Sequence, residues 1–547
     1  MMKKMIIYII IIVSILSGKT EAQVNCDLTI DENVFDINGN DLDYQPGSVI
    51  CLKPGNKDYL LIENIHGTKE NPVTLINSEG TVVINTDHYY GIKVSHCSYI
   101  KLSGNGSSKD KYGIRVERVG QGTGLSVGDL STDVEVEFLE IANTAIAGVY
   151  AKTDPTCNDF SSTREKFTMY NFVMHDCYIH DVLDEGLYIG SSKYTGQVLY
   201  DCDTVVLPHV LIGTRIYNNI VERTGWDGIQ VSSAEQDCEV YNNVIRHNSY
   251  VATPGQMSGM IIGGGSRCKV YNNKIYDGYG DGIDLFGIGS QKVFNNLLVR
   301  NGQDYNPDSS TDFKHGIYLG KVDDAVATDE LNEIFNNTIV SPKSFGITYS
   351  NDQCPGKIFN NAILEPGYTE AGEKAFINIT VQENLVEASN NYTSQDVYSA
   401  RFVSVSEDNL DLQPDSPLVD NGFDISQHGI GFDIDNRTRP FHNFYDIGAY
   451  ECQSPFISIN EKFQERLTIY PNPANDHIKI AFDEPGEHSL IQVINLTGQI
   501  IFTQQLQPNI KETNFSVSDF KNGNYLLVIK NDQIIFATTP LIIKHYD

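Results

Sequence analysis

Hydrophobic and polar residues alternate along this chain in short runs, and the runs repeat. A glycine followed by an apolar, a variable and an apolar residue appears in Asp227-Gly-Ile-Gln-Val231, Ser258-Gly-Met-Ile-Ile262, Asp281-Gly-Ile-Asp-Leu285, His315-Gly-Ile-Tyr-Leu319 and Phe345-Gly-Ile-Thr-Tyr349. Looser copies read Tyr90-Gly-Ile-Lys-Val94, Tyr112-Gly-Ile-Arg-Val116, Ala147-Gly-Val-Tyr-Ala151 and Glu185-Gly-Leu-Tyr-Ile189. A two-residue period over so few positions predicts a short strand with one buried face. Strands this short share a core by stacking, because none can build one alone.

A second phrase interleaves with the first. It reads Val240-Tyr-Asn-Asn-Val-Ile245, Val270-Tyr-Asn-Asn-Lys-Ile275, Val293-Phe-Asn-Asn-Leu-Leu298, Ile334-Phe-Asn-Asn-Thr-Ile339 and Ile358-Phe-Asn-Asn-Ala-Ile363, with Ile216-Tyr-Asn-Asn-Ile-Val221 ahead of them. The Asn-Asn pairs begin at positions 218, 242, 272, 295, 336 and 360, so the shortest spacings are 23 to 24 residues. Asn tolerates a left-handed backbone and bonds locally at turns, and Asn repeated at one turn of every rung can stack into a ladder. One turn Asn and three short strands per period describe a coil of a parallel β-helix. The longer periods place insertions at 190–212, 247–257, 300–314 and 320–331. They fall at two corners of the coil and are expected to wall the face of the Gly-Ile-x-Val strands, where long loops carry function.

These repeats resemble the right-handed parallel β-helix family, which includes many polysaccharide lyases and hydrolases. The resemblance spans residues 86–395 and implies an all-β fold; the scaffold hosts many chemistries, so it implies no single reaction. Residues 23–85 read as an N-terminal cap with the first coils, since an open rung exposes apolar surface and unpaired strand edges. After Asn391 the pattern fades into Leu412-Gln-Pro-Asp-Ser-Pro-Leu-Val-Asp420, Asp433-Ile-Asp-Asn-Arg437 and Asp446-Ile-Gly-Ala-Tyr-Glu451. This set resembles the closing segment of bacterial exported β-helix proteins. It implies closing coils over 396–455, with Arg437 and Arg439 structural, and a linker at 456–464.

Residues 465–547 form a separate module opened by Leu467-Thr-Ile-Tyr-Pro-Asn-Pro-Ala-Asn-Asp476. Alternating strands and turns, as in Val493-Ile-Asn-Leu-Thr-Gly498 and Asn522-Gly-Asn-Tyr-Leu-Leu-Val528, predict a small C-terminal β-sandwich. The module resembles the C-terminal sorting domain of the Bacteroidetes type IX secretion system. That resemblance implies passage through the periplasm and across the outer membrane by the type IX secretion machinery, then release or attachment at the cell surface.

Composition sharpens this picture. Lys3 and Lys4, the apolar run from Met5 to Leu16 and the small-residue site at Thr20-Glu-Ala22 read as a cleaved signal peptide over 1–22. No later apolar run is long enough to span a bilayer. The formal net charge of −32 argues against a nucleic-acid partner, which needs clustered Lys and Arg. An acidic polysaccharide would bind only at a local basic patch or through a bridging cation. A monomer is expected. The 10 cysteines permit disulfides in an exported chain. Cys26–Cys51 and one pairing among Cys157, Cys177 and Cys202 are expected; Cys97, Cys238, Cys268 and Cys354, at one rung position, read as small buried hydrophobes.

In Gly-Ile-x-Val the x residue points outward. Up the stack, x reads Lys93, Arg115, Tyr150, Tyr188, Gln230, Ile261, Asp284, Tyr318 and Thr348. The residue before each glycine adds Glu185, Asp227, Ser258, Asp281 and His315, and the Asn-Asn-x-Ile strands add His180, Glu222, Arg246, Lys274 and Tyr276. Tyrosines among acids and amides suit a sugar site, so Tyr188, Trp226, Asp227, Gln230, Tyr276 and Tyr318 are candidate substrate contacts. Trp226 reads equally as a packed loop anchor. The carboxylates have two chemical readings, an acid and base pair for glycosidic hydrolysis or oxygen ligands for Ca²⁺ at Glu185, Asp227 and Asp281. Asp before Gly is also ordinary turn chemistry, but Asp284 is mid-strand, where Asp is disfavoured. A lyase needs a cation for the uronate and a base; Arg246 or Ca²⁺ fits the first role, and Lys274, His315 or a tyrosine the second. His175 and His180 read as metal ligands or as ordinary coil residues. Of the motifs of polygalacturonase-like enzymes only Lys314-His-Gly316 has a counterpart. The catalytic candidates are Asp284, Asp281, His315, Arg246 and Lys274. The sequence supports a polysaccharide lyase or hydrolase, with a non-catalytic glycan-binding or adhesion protein as the alternative.

Overall fold

The computed structural model describes residues 24–305, 313–320, 330–367, 376–382, 384–453, 468–481, 489–495, 499–507, 510–530 and 535–545. The expected signal peptide, the linker 456–464 and parts of the insertions 300–314 and 320–331 lie outside the described residues. Regular structure among the described residues consists of strands and short 3₁₀ turns.

The chain forms two compact units. The first winds through three parallel sheets of 13, 12 and 12 strands. Sheet I takes runs such as Cys238–Tyr241, sheet II takes runs such as Val244–Arg246, and sheet III takes the glycine phrases such as Ser258–Ile262. The register repeats without slip over the best-patterned coils. Val240, Val270, Val293, Ile334 and Ile358 align in sheet I. Ile245, Ile275, Leu298, Ile339 and Ile363 align in sheet II, and Ile229, Met260, Ile283, Ile317 and Ile347 in sheet III. The three columns point inward and make one continuous buried core. Stacking is what allows strands of three to five residues to persist.

The two residues of each Asn-Asn pair do different work. The first takes the left-handed turn between sheets I and II, with φ of 55° at Asn242 and Asn272 and 54° at Asn295. The second is buried and bonds to its copy on the next rung. Asn243 donates its amide N and Nδ2 to Oδ1 of Asn273 at 3.0 and 3.1 Å, Asn273 does the same to Asn296, and the ladder continues through Asn337, Asn361 and Asn391. The buried amides are thereby satisfied.

The glycines of sheet III are required by close approach. A Cβ on Gly228 would meet the carbonyl oxygen of Gly259 at 2.5 Å, one on Gly282 that of Gly316 at 2.4 Å, and one on Gly316 that of Gly346 at 2.6 Å.

Three expectations need correction. Tyr112-Gly-Ile-Arg-Val116 is not a sheet III phrase: the strand Ile114–Val119 lies in sheet II, with Arg115 beside Val83 and Glu140. The sheet III position next to Lys93 is Ser126. Local alternation cannot tell one sheet from another. Among the described residues of 396–455, none adds a strand to the three parallel sheets expected to gain closing coils there. Within the first unit, residues 422–440 and 444–450 run along the turn-asparagine column, where Asn295, Asn360 and Asn336 donate Nδ2 to the carbonyls of Phe432, Phe423 and Asp446 at 2.6, 3.0 and 2.7 Å. Arg439 is buried there, bonding Asn295 Oδ1 at 2.8 Å and the Gly448 carbonyl at 3.1 Å, while Arg437 pairs with Asp433 at 2.7 Å. Finally, Cys238 and Cys268 stand opposite each other on adjacent rungs and form a disulfide. Cys26–Cys51 and Cys157–Cys202 pair as expected, and Cys97, Cys177 and Cys354 are buried thiols outside the disulfides.

In the second unit, Phe402–Ser404 pairs antiparallel with Asn409–Leu412. Strands Thr468–Tyr470, His477–Ala481 and Glu512–Ser516 make one antiparallel sheet, and Leu490–Asn495, Ile500–Gln505, Gly523–Lys530 and Ile535–Ile543 make another. They enclose Ile478, Ile480, Ile491, Val493, Leu527 and Leu541, which is the predicted sandwich.

Candidate functional site

Sheet III carries two adjacent columns of non-core side chains. The outward column runs Lys93, Ser126, Tyr150, Tyr188, Gln230, Ile261, Asp284, Tyr318 and Thr348 in continuous register. The edge column, before each glycine, runs Glu185, Asp227, Ser258, Asp281 and His315. Its register follows from amide-to-carbonyl bonds between neighbouring rungs: Gly186 to Asp227 at 2.9 Å, Gly228 to Ser258 at 3.1 Å and Gly282 to His315 at 2.9 Å.

The columns join at Ser258. Its backbone amide donates to Asp227 Oδ1 at 2.7 Å, and its hydroxyl donates to Asp284 Oδ2 at 2.6 Å. Asp281 accepts the amide of His315, and the Lys314 ammonium lies 3.7 Å from its other oxygen. Glu185 Oε2, Asp227 Oδ2, Asp284 Oδ1 and Gln230 Oε1 are buried with no hydrogen-bond partner. Such a row of unsatisfied acceptors is costly in a resting fold. Exposure ranks the acids: Asp227 is at 0% and Glu185 at 1%, whereas Asp281 and Asp284 reach 7% and 8% and are the ones nearer to solvent.

Burial pushes the Glu185 carboxyl up to about 7, helped by the charge of Asp184 and opposed by that of Lys152. Burial also raises Asp227, with the Glu185 charge next, and raises Asp284, with the Asp281 charge next. His315 is pushed down by burial, so its imidazole is neutral. Its Nδ1 lies 3.4 Å from the Thr348 hydroxyl, and its ring stacks on Tyr318 at 5.5 Å.

The other predicted residues divide between this site and other places. Tyr188 borders the acids, bonded through its hydroxyl to Ser192 at 2.9 Å and set edge-on to Tyr150 at 5.4 Å, with the Lys152 ammonium 4.4 Å from its ring. Trp226 sits half-buried at the entry turn, its amide bonded to the Asp184 carbonyl at 3.1 Å and its carbonyl to Ser249 at 2.9 Å. Arg246, Lys274 and Tyr276 belong to sheet II. Arg246 pairs with Glu222 at 3.0 Å over the Tyr276 ring, and Lys274 pairs with Asp435 at 3.2 Å. The cations whose charges act on the acid cluster are Lys152 and Lys314, which sequence reasoning passed over. Lys314 was legible only as the neighbour of His315.

The expected calcium ligands Glu185, Asp227 and Asp281 all lie on the edge column. Glu185 and Asp281 are three rungs apart, about 14 Å at the strand spacing. One Ca²⁺ with ligands at roughly 2.3–2.6 Å cannot bridge that span. Among the described residues, three ligand atoms do gather within 4.8 Å at Glu135, Glu137 and His175 on sheet I. There Lys101 already pairs with both glutamates at 2.7 and 2.9 Å. His180 pairs with Asp181 at 2.6 Å and Glu140 at 3.3 Å.

Comparison with known proteins bears on fold and export. Residues 170–401 match the family model described as right handed beta helix region, and residues 468–544 the one described as secretion system C-terminal sorting domain. No curated protein matches the sequence. Similar solved structures include a lacto-N-biosidase from Eubacterium ramulus, at 14% identity and TM-score 0.43 over 65% of this chain and 63% of that one. A pectate lyase matches at 15% identity and TM-score 0.38 over 78% of this chain and 97% of that one. The A-module of a mannuronan C-5 epimerase from Azotobacter vinelandii matches at 14% identity and TM-score 0.34, over 64% and 91%. The match thus spans less than two thirds of the lacto-N-biosidase chain. With three parallel sheets in continuous register and a C-terminal antiparallel sandwich, the chain is a right-handed parallel β-helix protein that carries the sorting domain of an exported protein.

Proposed function

We propose that this exported protein is a glycoside hydrolase that binds a neutral glycan along sheet III, with Asp284 as proton donor and Asp281 as base for the attacking water. The observation that carries the reading is the placement of these two acids on one strand, Asp281–Leu285, in unlike settings. An inverting glycosidase needs two carboxyls roughly 6.5–9.5 Å apart, and the Asp281 charge acts on Asp284 at close quarters. Asp284 is raised by burial and by the neighbouring Asp281, which favours the protonated form that a proton donor needs. Asp281 has an ammonium and an amide N–H as partners, both of which pair with a negative oxygen. Tyr188 and Tyr318 lie on the outward column on either side, and the unpartnered oxygen of Gln230 is an acceptor for a sugar hydroxyl.

The charge balance favours a neutral substrate. A uronate would add negative charge beside Glu185, Asp227, Asp281 and Asp284, and the nearby cations are engaged: Lys314 with Asp281 and Lys152 with Asp154 at 3.0 Å. Arg246 and Lys274, the lyase candidates, are paired on sheet II. Incubating the mature chain with neutral and uronate-containing polysaccharides tests this. New reducing ends from a neutral glycan, without ultraviolet-absorbing unsaturated product, unaffected by chelation and lost in Asp284→Asn and Asp281→Asn, are expected. Unsaturated ends would make it a lyase. Binding without cleavage across the panel would assign the groove to glycan binding alone.

A further inference from the structure

Beside the acids, the insertion after the strand Leu187–Ile189 builds a second feature that the reaction does not use. Gln197–Leu199 and Thr204–Val206 form a hairpin, with Val198 opposite Val205. The turn Tyr200–Cys202 at its tip is tied by the Cys202–Cys157 disulfide to the segment that follows the strand Val149–Ala151. The Arg164 guanidinium lies 4.0 Å from the Tyr194 ring, and the Tyr194 hydroxyl bonds Glu235 at 2.6 Å, bracing the base of the same wall. Between this wall and sheet III lies a cavity of about 400 Å³, lined by Lys152, Tyr188, Ser191, Ser192, Gln197 and Tyr200 among others. Its volume falls in the range of small-ligand sites, roughly 300–1,000 Å³.

Three features of the lining point to a ligand. Tyr200 is 88% exposed although it sits on a cross-linked turn, so its ring contributes nothing to a core; one ring face is open to an apolar partner. Gln197 Oε1 is buried without a hydrogen-bond partner. Lys152 connects the cavity to the acids: its ammonium covers the Tyr188 ring at 4.4 Å and its charge acts on Glu185, three residues before Tyr188 on the same rung. Tyr188 is therefore shared between the cavity and the outward column.

Resting on the hydrolase reading above, we infer that this cavity is a sugar subsite of the same groove, three rungs from Asp284, holding one neutral sugar residue against Tyr200. The sugar's C–H face packs on the Tyr200 ring, and its hydroxyls bond Gln197 Oε1 and the hydroxyls of Ser191 and Ser192. A neutral residue fits because the half-buried Lys152 is already matched by Asp154, which leaves the exposed Lys193 as the other cation of the lining.

The test uses the mature full-length chain with a graded series of neutral oligosaccharides from whichever neutral glycan of the panel it binds or cleaves. Tyr200→Ala and Gln197→Ala are expected to raise KM about tenfold with kcat changed less than twofold, and only for oligosaccharides long enough to reach the cavity. Calorimetric binding of the same oligosaccharides to Asp284→Asn is expected to weaken about tenfold when Tyr200→Ala is added. Unchanged KM and unchanged binding, with the wild type still active, would overturn the subsite and leave the hydrolase reading standing. Sugar binding that depends on Tyr200 in a protein without turnover would uphold the subsite and overturn the hydrolase. Preference for an acidic sugar, abolished by Lys193→Ala, would overturn the neutral class.

Discussion

Ser258 donates its hydroxyl to Asp284 at 2.6 Å from one rung to the next, while its own amide donates to Asp227 at 2.7 Å. A single residue thus ties two buried carboxyls to one strand, one through its backbone and one through its side chain. The arrangement depends on sheet register, since Ser258 stands opposite Asp281 and reaches diagonally to Asp284.

Removing that hydroxyl shifts the pH response of the site in a defined direction. The Ser258 hydroxyl stabilises the ionised form of Asp284, so Ser258→Ala raises the carboxyl further. A proton donor works while protonated, so the alkaline limb of the rate profile moves to higher pH, and kcat/KM at the optimum falls about tenfold with the loss of a charge-assisted bond. Ser258→Thr keeps the hydroxyl and should retain the wild-type limb. An alkaline limb that does not move in Ser258→Ala would remove Asp284 from the donor role.

Glu185 predicts a pH dependence of stability. Its folded carboxyl is raised to about 7, above the roughly 4.3 of an unfolded Glu. Between these values the folded state holds the extra proton, so stability falls as pH rises from about 4.5 to about 7 and is flat above that. The cost at pH 8 is on the order of 3 kcal/mol. Glu185→Gln should match wild type near pH 4.5 and exceed its Tm at pH 8. Parallel Tm curves for the two proteins across this window would sink the assignment.

Gly282 tests the steric account of the repeat. An added Cβ would lie 2.4 Å from the Gly316 carbonyl oxygen and 3.0 Å from Asn301 Oδ1. Gly282→Ala must force the rungs apart, at a cost of about 1–3 kcal/mol or more. Gly431→Ala is the control, since an added Cβ there meets nothing within 4 Å, and should stay within about 0.5 kcal/mol of wild type. Denaturant midpoints measure both; equal midpoints would mean that the glycine is tolerated rather than required.

The repeat itself was legible in the residues. Each Gly-Ile-x-Val phrase from Asp227 onward became a strand of sheet III, and each Asn-Asn pair became a turn residue followed by a ladder residue. These features depend on neighbours within about ten positions, and the inward columns needed only a two-residue period. The tyrosine and carboxylate positions of the outward column from Tyr150 to Tyr318 were legible for the same reason.

Assignments that depend on which turn belongs to which coil were not legible. Arg115 sits in a phrase that looks like its neighbours yet lies in sheet II, because alternation encodes a buried face without naming the sheet. Cys238 and Cys268 share a rung position that reads equally as buried thiols or as a disulfide; only the register sets them opposite each other. Arg246 and Lys274 looked close to the acids, but their partners Glu222 and Asp435 come from a different rung and from the distant 422–450 segment.

The sequence by itself therefore determined the β-helix, its core, the C-terminal sandwich and the column of residues from which function had to be read. The tertiary structure alone decided which of those residues meet. It drew Asp227, Ser258 and Asp284 into one hydrogen-bonded group with Asp281 opposite Ser258, sent Arg246 and Lys274 to another sheet, and set Tyr200 on a disulfide-tied wall beside Tyr188. The physical reason is that local pattern specifies which face of a strand is buried, whereas the partners of an outward side chain depend on coil length and register, which insertions of variable length set.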